Sequence, residues 1–139
     1  MAPMSFGDVG DMVFGYPAAW RIGVDMEPLF NLDGCRFVTC GNDHGLAGPD
    51  TVFLYHQQGV GLSGEYHGGE VAEGRFVGHY VDLDRLELLF ECMTRAGHLC
   101  AGRSLGTVSR DYGGKLRLAF EWTWLYGADG GGISAYVEV

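Results

Sequence analysis

From Cys35 to Val139 the chain is a succession of short apolar or alternating runs cut apart by Gly, Asn and Asp, and this punctuation limits the accessible folds more than any other feature. Eight runs can be read, at 35–42, 51–58, 60–66, 71–82, 85–92, 98–109, 115–126 and 131–139. Alternating segments bounded by turn residues give short antiparallel strands joined by hairpins. The connections are brief: Gln58 with Gly59, Gly68 with Gly69, Leu83 with Asp84, Arg95 to Gly97, Gly113 with Gly114, and Ala128 to Gly130. Neighbours in sequence are then neighbours in space. A sheet built this way has two unpaired edges, and closing it on itself removes both. The expectation is an all-β domain over 35–139, a single eight-stranded antiparallel up-and-down β-barrel.

The stretch 79–96 reads two ways. It contains no Gly, Leu83, Leu86, Phe90 and Met93 recur at helical spacing, Asp82 or Asp84 can cap a start, and Gly97 can cap an end. Yet Leu86, Leu88 and Phe90 also alternate with Glu87, Leu89 and Glu91, the pattern of a half-buried strand.

Strand parity assigns the faces. In 115–126 the residues Leu116, Leu118, Phe120, Trp122 and Trp124 share a side opposite Arg117, Glu121 and Thr123, so the apolar side points inward. The same parity directs Phe53, Tyr55 and Gln57, Leu62, Gly64 and Tyr66, Gly74, Phe76, Gly78 and Tyr80, and Leu86, Leu88 and Phe90 into the lumen, with Gly102 beside them. Glu65, Arg75, Glu87 and Glu91 face water. Glycines make up 24 of the 139 residues without a Gly-x-y period, which excludes collagen and leaves two roles, turns and lumen wall. Gly64, Gly74, Gly78 and Gly102 are expected to leave room beside the rings for a small apolar ligand.

Residues 1–34 do not share the repeat. They carry Pro3, Pro17 and Pro28 among irregular apolar residues, including Met4, Phe6, Met12, Val13, Phe14, Tyr16 and Trp20. This N-terminal arm is read either as packing on the outer wall or lacking order, or as a lid that closes one barrel mouth. The net charge of −9, with Lys115 the single lysine, repels phosphate backbones and anionic lipid, so neither nucleic acid nor a membrane is an expected partner. The start has no basic and apolar leader pattern, and no long apolar run occurs, giving a cytoplasmic expectation. Cys35, Cys40, Cys92 and Cys100 lack Cys-x-x-Cys spacing and read as reduced packing thiols, with Cys92 and Cys100, which flank a hairpin, the best candidates to face each other. His44, His56, His67, His79 and His98 form no metal-binding motif, and parity turns His56, His67 and His79 outward, so no metal and no cofactor is expected.

The segment from Phe53 to Trp124 resembles a family of small bacterial proteins often labelled "N-acetylglutamate synthase". The likeness is carried by Phe53-x-Tyr55-His56-Gln57, Tyr66-x-Gly68-Gly69, Gly74-x-x-x-Gly78, Leu86-x-Leu88, Gly97-x-Leu99-x-x-Gly102, Gly114-x-Leu116-Arg117-Leu118 and Trp122-x-Trp124. The resemblance implies a lipocalin-like or avidin-like barrel in which 85–92 is a strand. Acetyl transfer, as the label has it, needs a pyrophosphate cradle, and no Gly-x-Gly-x-x-Gly or P-loop sits at a strand-to-helix turn here. Phe120 stands where relatives tend to have Glu, which would make this lumen more apolar, and Leu89 stands where they tend to have Arg.

Two functions follow. The first is a cofactor-independent cyclase or isomerase, including the cycloaddition type, that folds an apolar substrate such as a polyketide intermediate. Tyr55, Tyr66 and Tyr80 would supply polar catalysis there, Gln57 orientation, and Phe53, Phe76, Leu88, Phe90, Phe120, Trp122 and Trp124 the mould, with space left at Gly64, Gly74 and Gly78. The second is a non-catalytic barrel that binds a hydrophobic small molecule through the same residues. A homodimer stays open.

Overall fold

The computed structural model describes residues 26–42 and 45–139. The arm residues Met4, Phe6, Met12, Val13, Phe14, Tyr16 and Trp20, and His44, lie outside the described residues. Eight strands follow one another: β1 (Arg36–Asn42), β2 (Val52–Gln58), β3 (Gly61–Gly68), β4 (Val71–Asp82), β5 (Arg85–Thr94), β6 (Leu99–Arg110), β7 (Leu116–Tyr126) and β8 (Gly131–Glu138). Each pairs antiparallel with the next, and β8 returns to β1, so the sheet closes into an up-and-down barrel without edges. The ambiguous stretch is strand: Leu83 and Asp84 turn the chain, and β5 pairs with β4 on one side and β6 on the other. Period two wins there because it puts Leu86, Leu88 and Phe90 opposite Tyr80, Gly78 and Phe76 on the inner face.

The inner face is as parity requires. Tyr55, Leu62, Tyr66, Phe76, Tyr80, Leu86, Leu88, Leu116, Leu118, Phe120 and Trp122 are buried, while Glu65, Arg75 and Glu91 are exposed. Outside, polar side chains pair across strands: His56 with Glu65 at 2.7 Å, and Glu87 with both Arg103 at 2.6 Å and His79 at 3.4 Å. The Arg103 hydrogen bond, with a smaller contribution from His79, holds the Glu87 carboxyl below its usual range.

The inward glycines behave differently from the expectation that they leave open space. Each stands directly opposite a large inward residue: Gly64 opposite Phe76, Gly74 opposite Tyr66, Gly78 opposite Leu88, Gly102 opposite Phe90 and Gly106 opposite Phe120. In each pair the large side chain lies over the glycine, so a Cβ added at the glycine would collide with it. The glycines are therefore covered, and their missing side chains are what let five bulky groups lie flat against the wall of a narrow barrel. This is aromatic cover of strand glycine, used repeatedly.

One end of the barrel is closed by the described part of the arm. Leu29 N donates to Leu83 O at 2.9 Å, at the β4–β5 turn. Leu32 N donates to Gln57 Oε1 at 2.9 Å, Gln57 N to Asp33 Oδ1 at 2.9 Å, and Tyr80 Oη to Phe30 O at 2.9 Å. Leu32 is fully buried, Phe30 packs on the same core, and the Arg110 guanidinium sits 6.0 Å from the Phe30 ring centre. These partners come from the ends of β2, β4 and β6, so residues 29–34 cross that end from wall to wall. The opposite end is bounded by the β1–β2 loop and by the turns after β3, β5 and β7.

Candidate functional site

Above the arm-closed end, the lumen holds a cavity of about 70 Å³. Its wall takes Phe53 and Tyr55 from β2, Tyr66 from β3, Phe76 from β4, Leu88, Phe90 and Cys92 from β5, Ser104 from β6, Phe120, Trp122 and Trp124 from β7, and Ser134 and Tyr136 from β8. Val71 and residues Gly45, Leu46 and Ala47 of the β1–β2 loop complete it. Alternation brings these side chains together, since each strand contributes every second residue. The rings brace one another. Phe53 stacks on Tyr66 at 4.7 Å and meets Tyr136 edge-on at 4.9 Å, Tyr55 lies 4.5 Å from Phe76, and Trp124 meets both Trp122 at 5.3 Å and Phe90 at 5.6 Å.

No residue on this wall carries a formal charge at neutral pH. Burial pushes the Tyr55 phenol well above its ordinary value, with Tyr136 and Tyr80 adding to the effect. It does the same to Tyr66, where Cys92 contributes next, and to Tyr136, where a hydrogen bond with Ser134 opposes it. These phenols stay protonated, so they can donate hydrogen bonds but cannot act as bases. Most polar atoms are already engaged: Tyr66 Oη donates to Glu91 O at 3.0 Å, and Trp122 Nε1 donates to Ser134 Oγ at 2.8 Å. Tyr55 and Ser104 differ. Both are more than nine-tenths buried, and neither hydroxyl has a protein hydrogen-bond partner among the described residues. Since no fully sealed side-chain N or O lacks a partner among the described residues, both hydroxyls open onto the cavity.

Nine of the residues expected at the site line this cavity: Phe53, Tyr55, Tyr66, Phe76, Leu88, Phe90, Phe120, Trp122 and Trp124. Five do not. Gly64, Gly74 and Gly78 are covered by Phe76, Tyr66 and Leu88. Tyr80 and Gln57 face the closed end, where their polar groups hold the backbone of Phe30 and Leu32. The sequence reading missed Ser104, Ser134 and Tyr136. Ser104 shares a strand face with Gly102 two residues away, and Ser134 and Tyr136 alternate in the last run, so parity extended to β6 and β8 would have found all three.

Beyond Leu46 and Trp124 a wider vestibule of about 680 Å³ opens at the mouth, ringed by Gly69, Glu70, Thr94 to Ala96, His98, Cys100 and Gly127 to Asp129. Leu46 and Trp124 belong to both spaces and separate them. Among the described residues no three His, Cys, Asp or Glu side chains come together as a metal site, and no helix is long and apolar enough to cross a membrane.

The family model described as "Avidin-like protein" matches residues 30–139. The chain belongs to the avidin-like family. The match begins at Phe30, whose carbonyl accepts the Tyr80 hydroxyl, so the avidin-like unit includes the segment that closes the barrel end. No curated protein and no solved structure matches the chain at a significant level. An avidin-like barrel is an architecture suited to holding a small molecule, and here the lumen offers an aromatic wall with two free hydroxyls.

Proposed function

We propose that this avidin-like barrel binds a small uncharged molecule, holding its polar atom at Tyr55 and Ser104 and its apolar part against the ring wall. The observation that carries the reading is the pair of buried hydroxyls that open onto the cavity without protein partners. A buried polar group left unpaired costs about 1–3 kcal/mol, and a ligand acceptor removes that cost. The uncharged wall favours a neutral ligand, since burying an ion there without a counter-charge is expensive. The cavity is about half the size of an engineered apolar cavity of ~150 Å³ that admits benzene. It suits a head of a few heavy atoms, such as a ketone, amide or lactam, with any larger part in the vestibule.

The cyclase or isomerase reading draws on the same wall, but only one of its three phenols is free. Tyr66 is committed to Glu91 O and Tyr80 to Phe30 O. Tyr55 alone remains to polarise a carbonyl, which supports binding over turnover. A homodimer is compatible with either reading.

The test is a panel of small neutral ketones, amides and lactams followed by Trp fluorescence and native mass spectrometry. Binders are expected, with affinity reduced about tenfold by Tyr55→Phe and again by Ser104→Ala, and with the ligand recovered unchanged. Absence of binding across the panel, or equal affinity in both variants, overturns the reading. A recovered ligand that has changed structure reinstates the enzyme.

A further inference from the structure

Cys92 on β5 and Cys100 on β6 are Cα partners in the β5–β6 hairpin, and both side chains are buried on the inner face. Thr94 N donates to His98 O at 2.9 Å, and hydrogen-bonded pairs recur every second residue in an antiparallel ladder, so Cys92 and Cys100 also occupy a hydrogen-bonded pair. Residues opposed in this way have Cα atoms about 5.5 Å apart, within the roughly 4.4–6.8 Å that a disulfide spans, while their Cβ atoms, up to about 5.5 Å apart, must draw in to roughly 3.5–4.5 Å, so the closed bond is strained and readily reduced. Neither thiol is in a disulfide; Cys100 Sγ donates to Gly127 O at 3.9 Å and Cys92 interacts with Tyr66, so closure turns both sulfurs away from these partners toward each other. They also sit on the partition between the two spaces of the barrel, Cys92 lining the cavity and Cys100 lining the vestibule. We propose that Cys92 and Cys100 form a cross-strand dithiol that closes to a disulfide with a hydroperoxide, a modification site at the inner rim of the mouth.

The chemistry balances. The Cys100 thiolate, reached from the vestibule, attacks the distal peroxide oxygen; the O–O bond breaks, water or an alcohol leaves, and Cys100 becomes a sulfenic acid. The Cys92 sulfur then attacks the Cys100 sulfur, the S–S bond forms, and a second water leaves with the thiol proton. Two cysteines are oxidised and one hydroperoxide is reduced. Cys92 also interacts with the Tyr66 phenol in the cavity wall, so drawing its sulfur toward Cys100 removes a neighbour of Tyr66 and alters the cavity. The step needs no lumen ligand and stands apart from the binding reading.

The experiment treats the full folded chain with hydrogen peroxide, alkylates the remaining thiols, and maps the peptides by mass spectrometry. Of the four thiols, two are expected to become unreactive, in a Cys92–Cys100 cross-link that dithiothreitol reverses. Cys92→Ser should instead leave a dimedone-reactive sulfenic acid at Cys100, and the double variant Cys35→Ser with Cys40→Ser should close as the parent does. The wild-type map decides the matter even if a variant folds poorly. Four alkylatable thiols after treatment, a bond that maps to Cys35 or Cys40, or closure only in denaturant overturns the proposal.

Discussion

The pairing of Tyr66 with Gly74 gives a stability prediction with two opposed outcomes. The three atoms nearest to a Cβ at residue 74 are all outer ring atoms of Tyr66. That ring cannot swing aside freely, because it stacks on Phe53 at 4.7 Å and its hydroxyl donates to Glu91 O at 3.0 Å. Overpacking of this kind costs about 1–3 kcal/mol, so Gly74→Ala should lose about 2 kcal/mol, or roughly 8 °C in Tm at about 4 °C per kcal/mol for a domain of this size. Tyr66→Leu removes the colliding outer ring atoms and costs about 2 kcal/mol by itself through lost packing and the lost hydrogen bond. In the double variant the new methyl has room, so the total should stay near 2 kcal/mol instead of reaching about 4, a coupling of roughly 2 kcal/mol. Gly78 supplies the contrast. Its added Cβ would meet Glu87 O and Leu88 Cα as well as the Leu88 side chain, so trimming with Leu88→Ala cannot relieve the backbone clash. Urea denaturation followed by circular dichroism on both cycles measures the couplings. Additivity within about 0.5 kcal/mol at the Gly74–Tyr66 pair would refute the claim that these glycines exist to receive rings.

Two further outcomes follow from the lumen and the closed end. Tyr80 is pushed up to about 12, chiefly by burial, and Tyr55, Tyr66 and Tyr136 are raised from 10.0 as well. A raised phenol favours the protonated fold, so this stabilisation is complete below pH 10 and is lost as pH climbs through the folded-state values. Urea midpoints should hold up to about pH 10 and then fall steeply, with these phenolates appearing only as the barrel opens; tyrosinate absorbance rising near pH 10 for all seven tyrosines while the circular dichroism stays native would contradict it. At the closed end, Leu32→Ala should cost about 2–5 kcal/mol because Leu32 is fully buried against the barrel core. Tyr80→Phe should cost about 1 kcal/mol and leave lumen binding unchanged, as its hydroxyl meets Phe30 O and not the cavity.

What was legible in the sequence was whatever a two-residue period and a turn residue can encode. The strands begin and end within one or two residues of the punctuated runs, because Gly59, Gly69, Gly97, Gly114 and Gly130 adopt positive φ at or beside the turns where the runs break. The inward face of β7 was equally plain, since Leu116, Leu118, Phe120 and Trp122 are all buried. What was not legible depends on register between strands. Parity says that Gly64 faces inward, but only the pairing with Phe76 shows that the space above it is filled. The same holds for the tyrosines. Tyr55 and Tyr80 have identical inward parity, yet Tyr55 opens onto the cavity while Tyr80 meets a carbonyl of the segment at 29–34, fifty residues earlier in the chain. That segment has no strand period, so nothing local announces that Leu32 belongs to the core. An inward polar residue in a small barrel therefore cannot be assigned to ligand or to scaffold from its own strand. The assignment turns on which end of the barrel it occupies and what closes that end, and for this chain that rule separates Tyr55 and Ser104 from Tyr80 and Gln57.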